Sequence, residues 1–262
     1  MTVVVASEEL EPRGAQSGPG ESIIRTPQND EQMKKAFPIV GLLTAILLIY
    51  ALYMALIGAP TERTMGDVQR IFYYHVPSAL IGFELFFINF GASVLYLIKR
   101  NPVADIVALV TAEVGVVFLT VNLVTGPIWA RPVWGIWWTW DMRLTSTLVL
   151  WLIYVSYLFL RRFSSSGETP LLAAALAVLG AMCVPFVYFS IWFFRTQHPQ
   201  PVMGGGGSID PRMLHVLLIN WLAFSCFAFL VGWSRYRLET LQREVDHAHA
   251  LQSLLDPRGS AR

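Results

Sequence analysis

Phe37-Pro-Ile-Val-Gly-Leu-Leu-Thr-Ala-Ile-Leu-Leu-Ile-Tyr-Ala-Leu-Tyr-Met-Ala-Leu-Ile-Gly58 holds no charged residue. A helix rises about 1.5 Å per residue, so about 20 apolar residues cross the hydrocarbon core of a bilayer. This stretch is long enough, and five more runs match it. They cover 77–98, opened by Pro77 and interrupted by Glu84, and 106–126, interrupted by Glu113. The others are 144–160, closed by Arg161 and Arg162, then 170–193 around Pro185, and 213–234 with His215 near its start. Strands of an outer-membrane barrel alternate with period two, which these continuous runs exclude. The predicted class is all-α: a polytopic membrane protein with six transmembrane helices.

Composition agrees. Of 262 residues, 55% are hydrophobic and 14% charged. Soluble domains carry roughly 25% charged residues, so an ordinary soluble fold is excluded. The formal net charge is +1, too small for a nucleic-acid footprint. The two cysteines, Cys183 and Cys226, form neither CxxC nor CxxCH. That argues against thiol-disulfide exchange, a zinc ribbon and covalent haem attachment to this chain.

Orientation follows from the basic residues beside the spans. Lys34, Lys35, Lys99, Arg100, Arg161, Arg162, Arg235 and Arg237 gather on one side as tight pairs. That side is expected to be cytoplasmic, with both termini inside. The other side carries Arg63, Arg70, Arg131, Arg143, Arg195 and Arg212 without a lysine, which hints at a task beyond topology. Three domains are expected: a disordered cytoplasmic tail at 1–33, a membrane domain at 34–234, and a partly helical cytoplasmic tail at 235–262. The helix in that last tail should end before Pro257.

Five of the nine tryptophans are Trp129, Trp134, Trp137, Trp138 and Trp140. In a helix, Trp134, Trp137, Trp138 and Asp141 would share one face. Pro132 would start that short interfacial helix. An aromatic belt explains one or two tryptophans per loop, but explains five in this stretch poorly. The sharper reading is a platform for a large flat ligand.

Three histidines lie at the same ends of the spans. His75 sits between spans one and two, His198 between five and six, and His215 about one turn into span six. One interfacial histidine alone is more often structural than a ligand. Two neutral imidazoles around an aromatic platform suit a planar ligand with a central metal, and haem iron accepts axial imidazoles. Arg70, Arg131, Arg143 and Arg195 are candidate partners for propionates, because guanidinium forks suit carboxylates. His215, or Met65, Met142, Met203 or Met213, are alternatives for one imidazole. Zinc wants four close ligands, and that site would leave the tryptophans without a role. Glu84 and Glu113 either mark a pathway or make interhelical bonds. Asn89, Asn122 and Asn220 read as interhelical donors, and Pro185 as a kink.

Trp134-Gly-Ile-Trp-Trp-Thr-Trp-Asp141-Met-Arg143-Leu-Thr-Ser146 resembles the WWD signature of haem-handling proteins of cytochrome c maturation. The Asp-x-Arg-Leu-Thr-Ser continuation, the stretch Arg70-Ile-Phe-Tyr-Tyr-His-Val-Pro77 and Ile209-Asp210-Pro211 look most like the CcmC family. The resemblance covers about 37–234. It implies a tryptophan loop that faces the periplasm and holds haem b in transit, with His75 and His198 as axial ligands. It implies delivery to the haem chaperone CcmE, alongside the ABC-type subunits CcmA and CcmB and the small membrane protein CcmD. It also implies residence in the bacterial inner membrane. Against the family pattern stand the long N-terminal tail, the glycines at 204–207 and the extra His215.

Trp129, Trp134, Trp137, Trp138, Trp140 and Asp141 are thus expected to form the haem platform of a transfer protein. No acid-base pair demands catalysis, although lyase chemistry on the haem during handover stays open. The rivals are a haem lyase or synthase acting on apocytochrome, and a subunit of a transmembrane haem export channel.

Overall fold

Each apolar run lies within one long helix. The computed structural model describes residues 27–164, 166–200 and 209–255. Helix α1, Pro27–Tyr53, closes in a π turn at Met54–Gly58. A 3-10 turn at Asp67–Ile71 leads into α2, Phe72–Lys99. There follow α3, Pro102–Trp134, α4, Met142–Phe163, α5, Thr169–Phe193, and α6, Pro211–Leu255. All six are long and apolar enough to cross a membrane, and no strand occurs among the described residues.

The chain divides into two units, one ending at Leu43 and one beginning at Thr44. In the first, α1 exposes Ile39, Leu42 and Leu43, as side chains facing lipid do. Its helix begins at Pro27, ahead of the boundary expected at 34. Proline is tolerated there because the first turn has no intrahelical use for its N–H. Residues 1–26 and 256–262 lie outside the described residues, as do Met203 and the glycines at 204–207.

The second unit packs α2 on α3 and α4 on α5. Aliphatic lipid tails give helices little hydrophobic reason to associate, so close packing has to hold them. A Cβ on Gly115 would lie 2.7 Å from Phe86 Cε1, so only glycine lets α3 seat against that ring. Phe86 stacks on Tyr154 with centroids 3.7 Å apart. The expected asparagine donors are interhelical. Asn89 Nδ2 donates to the Ala108 carbonyl at 2.6 Å, and Asn220 Nδ2 reaches the Ala51 carbonyl at 3.3 Å.

Ion pairs, of which Asp105–Arg161 is the buried one, tie α3, α4 and α6 together at the end opposite the tryptophan turn. Arg161 holds both oxygens of Asp105, at 2.5 and 2.8 Å. Arg243 reaches the same carboxylate at 2.7 Å and Glu239 at 2.9 Å. Arg235 pairs with Glu113 at 2.8 Å and Glu239 at 3.0 Å. The helix expected at 235–255 is therefore no separate surface element. It continues α6 unbroken to Leu255, and its first turns are bonded to α3 at Glu113 and Asp105. Helix α5 likewise runs through Pro185 without interruption.

The tryptophan-rich helix expected after Pro132 does not form. Helix α3 runs through Pro127 and Pro132 to Trp134 and ends on Gly135, whose φ of 78° is left-handed. The Gly135 N–H donates back to the Arg131 carbonyl at 3.0 Å, an αL cap that glycine adopts without a Cβ penalty. Six residues later, Asp141 caps α4: its Oδ1 accepts from the Leu144 N–H at 2.9 Å. Between a stop and a start so close together there is room only for an irregular turn carrying Trp137, Trp138 and Trp140.

Candidate functional site

A cavity of about 950 Å³ opens at the tryptophan end of the second unit. Such a volume suits a large cofactor-sized ligand, since small-molecule pockets run to roughly 1,000 Å³. Its walls come from α2, α3, α4, the end of α5, the start of α6 and the connecting loops. His75 and His198 both line it.

His75 stands in the first turn of α2 and is 9% exposed. One face of α3 holds it. Asn122, Thr125, Gly126 and Trp129 follow at helical spacing and all meet the imidazole. Thr125 Oγ1 lies 3.0 Å from His75 Nδ1. The Thr125 hydroxyl proton already goes to the Val121 carbonyl at 2.7 Å, so toward the imidazole this oxygen only accepts. Nδ1 therefore carries the ring proton and Nε2 keeps a lone pair. Asn122 Nδ2 donates to that Nε2 at 3.1 Å and to the His75 carbonyl at 3.1 Å. A Cβ on Gly126 would come within 3.3 Å of His75 Cε1. Trp129 meets the ring edge-on at 5.7 Å.

His198 lies on the loop after α5, half-buried. Its Nδ1 sits 2.9 Å from the Pro199 carbonyl, which only accepts, so again Nδ1 holds the proton and Nε2 is left with its lone pair. Burial first, and the Arg143 guanidinium second, push this imidazole down to about 4. It is neutral at physiological pH, the form that ligates metals.

The tryptophans divide. Trp129 and Trp134 on α3, and Trp138 in the turn, line the cavity. The indole N–H groups of Trp129 and Trp138 are buried without a hydrogen-bond partner among the described residues. Orphaned buried donors beside a cavity fit a ligand that supplies acceptors. Trp137 and Trp140 are 59% and 77% exposed and lie outside the lining, so the single four-residue face expected from the sequence is broken. The cause is the αL stop at Gly135, which turns the chain before Trp137. Asp141 also lies outside the lining. Besides capping α4, its Oδ2 accepts from Thr139 Oγ1 at 3.1 Å and Thr196 Oγ1 at 2.8 Å.

The four arginines proposed for propionates are similarly sorted. Arg143 lines the cavity and donates to the Val187 and Tyr188 carbonyls near the end of α5, at 3.1 and 3.0 Å. Arg70 does not line it. Its guanidinium serves the Ala55 and Ala59 carbonyls left open by the π turn, at 3.1 and 3.4 Å, and the Asp67 carboxylate. Arg131 donates to the Gly135 carbonyl and lies over the Trp137 ring. Arg195 is exposed and outside the lining. Arg63 and Arg212 do reach the cavity; Arg212 is paired with Asp210 at 3.1 Å.

His215 is exposed on α6 and outside the lining, whereas Met213, two residues earlier, is buried and lines it. Of the other methionines, Met65 lines the cavity and Met142 does not. Glu84 and Glu113 also lie outside it. Glu113 is taken up by Arg235, and no group of three or more metal-ligating His, Cys, Asp or Glu occurs among the described residues. The sequence reading missed Thr125 and Gly126. Their signal was their spacing of three and four residues from Asn122, but only the packing of α2 shows that His75 is what they meet.

A family profile described as heme exporter protein C matches residues 24–251. The heme exporter protein C of Bradyrhizobium diazoefficiens is 34% identical over 222 residues, covering 84% of each chain. That of Haemophilus influenzae is 30% identical over 214 residues, covering 80% of this chain and 87% of the relative. That of Escherichia coli K12 is 34% identical over 174 residues, covering 66% of this chain and 69% of the relative. The profile spans the membrane helices, the tryptophan turn and both cavity histidines, and the chain belongs to the CcmC, or heme exporter protein C, family.

Proposed function

We propose that this protein binds haem b in the 950 Å³ cavity, with His75 and His198 as axial ligands, and hands it to a periplasmic chaperone of the CcmE type during c-type cytochrome biogenesis. The observation that carries the reading is the matched state of the two imidazoles. Each has its Nδ1 proton committed to an oxygen, Thr125 Oγ1 or the Pro199 carbonyl, and each lines one cavity with Nε2 unprotonated; in His75 that nitrogen accepts from Asn122 Nδ2 at 3.1 Å, a bond that iron would replace. Axial ligation needs that tautomer, and oxygen acceptors on the far nitrogen are the usual device for holding it. Trp129, Trp134 and Trp138 supply apolar surround. Arg143 is the guanidinium best placed for a propionate, with Arg63 and Arg212 nearer the loops.

His75 is held between two helices and His198 on a loop. That asymmetry suits cargo that must leave: one ligand stays as anchor and the other lets go. The basic pairs at 99–100 and 161–162 lie at the opposite end of the spans, which supports a periplasmic cavity, cytoplasmic termini and residence in a bacterial inner membrane. ABC-type CcmA and CcmB subunits and a CcmD-type membrane protein are the companions that the family membership suggests.

The test is a visible absorption spectrum of the purified full chain, followed by mixing with a CcmE-type chaperone. A low-spin haem spectrum that passes to the chaperone is expected. A chain that neither co-purifies with haem nor takes it up would sink the reading. Within this site Trp138→Phe should weaken haem affinity by roughly tenfold, the value of one hydrogen bond from a buried donor. Trp140→Phe should stay within about twofold, because its exposed ring is outside the cavity. Equal losses in a haem titration would refute the division of the tryptophans.

A further inference from the structure

His198 reaches the cavity from a loop, so something must hold that loop in register. The chain of bonds is short. The His198 backbone N–H donates to Thr196 Oγ1 at 3.0 Å. The Thr196 hydroxyl in turn donates to Asp141 Oδ2 at 2.8 Å. The other oxygen of that carboxylate caps α4 through the Leu144 N–H. A hydroxyl is suited to the middle position because it offers a lone pair to one neighbour while giving its proton to the other. The carboxylate makes the second bond charge-assisted, hence stronger than a neutral one.

We propose that Asp141 and Thr196 are positioning residues: through the Thr196 hydroxyl, the acidic end of the tryptophan turn latches the His198 loop in its ligating position. The proposal rests on the reading of His198 as an axial ligand. It gives Asp141 a role other than contact with the ligand, in keeping with its place outside the cavity lining. It also couples the two loops. Whatever disturbs the tryptophan turn pulls on Asp141 and loosens His198, while His75 stays gripped by α3.

The experiment compares wild type, Thr196→Val, Thr196→Ser and His198→Ala in the full chain, by absorption spectroscopy of bound haem. Valine keeps the shape of threonine, loses both hydrogen bonds, and leaves the α4 cap intact. Thr196→Val should lower the ratio of six-coordinate low-spin to five-coordinate high-spin haem by about tenfold, in the same direction as His198→Ala. Serine should restore it. Added imidazole should return Thr196→Val to the low-spin form, because the pocket around His75 is untouched. A low-spin Thr196→Val spectrum beside a high-spin His198→Ala spectrum would overturn the latch and leave the ligand assignment standing. A His198→Ala spectrum identical to wild type would overturn the ligand assignment itself, and the latch with it. Thr196→Val haem that stays high-spin in imidazole would also overturn the latch, since the lesion would then lie in the pocket as a whole.

Discussion

His75→Ala is expected to lower haem affinity by on the order of 100-fold or more, since even loss of a second-shell partner costs about 10–100-fold in metal affinity. The side chain is 9% exposed and is met by Asn122, Thr125, Gly126 and Trp129 along one face of α3, none of which offers a side-chain nitrogen lone pair to take over. His215 is no substitute, because it is exposed and outside the cavity. Gly126→Val should produce much of the same loss without removing the histidine. A β carbon there already approaches His75 Cε1 to 3.3 Å, and the γ carbons of valine would push the imidazole aside. Haem titration of the purified variants is the measurement. Retention of wild-type affinity by His75→Ala would remove the anchor ligand from the proposal. Retention by Gly126→Val alone would show that the α2–α3 seam yields.

The second large effect lies at the other end of the helices. Asp105→Ala should destabilise the fold by about 3–5 kcal/mol, the cost of leaving a buried charge without its partner. The side chains of Asp105 and Arg161 are 5% and 10% exposed, and their two bonds are bidentate. Arg161 would keep its weaker contacts with Tyr157, at 3.5 Å to the hydroxyl and 5.7 Å over the ring. Arg243 suffers less, because it also holds Glu239. Replacing Asp105 and Arg161 together by leucine should recover most of the loss, since a buried ion pair is often worth no more than a well-packed apolar pair. Thermal unfolding of the detergent-solubilised variants gives the comparison. A loss under about 1 kcal/mol for Asp105→Ala would place the pair among ordinary surface bridges.

That pair shows how one residue can be read incompletely from sequence. Arg161 closes an apolar run beside Arg162, and the positive-inside rule assigns both to topology. Nothing in the local pattern says that Arg161 turns inward onto an aspartate on another helix. The tryptophan segment shows the reverse case. Its 3-4-7 spacing predicts a helical face, yet Gly135 and Asp141 carry stronger signals, a helix stop and a helix start. A cap acts through backbone groups that must be satisfied wherever a helix ends, so it outweighs a side-chain periodicity that no partner enforces.

The sequence alone determined that the chain spans a membrane six times, because the hydrocarbon core demands runs of about 20 apolar residues and such runs cannot be hidden. It also singled out His75, His198 and the tryptophans, because imidazoles and indoles clustered at one end of apolar spans are costly to explain otherwise. Only the tertiary structure decided which of these side chains share a cavity. It admitted Trp129, Trp134 and Trp138, Arg143 and Met213, and left out Trp137, Trp140, Arg70 and His215. The reason is physical. Membership in a site depends on helix rotation and on where caps end the helices, and rotation is set by contacts such as Gly115 against Phe86, between residues far apart in the chain.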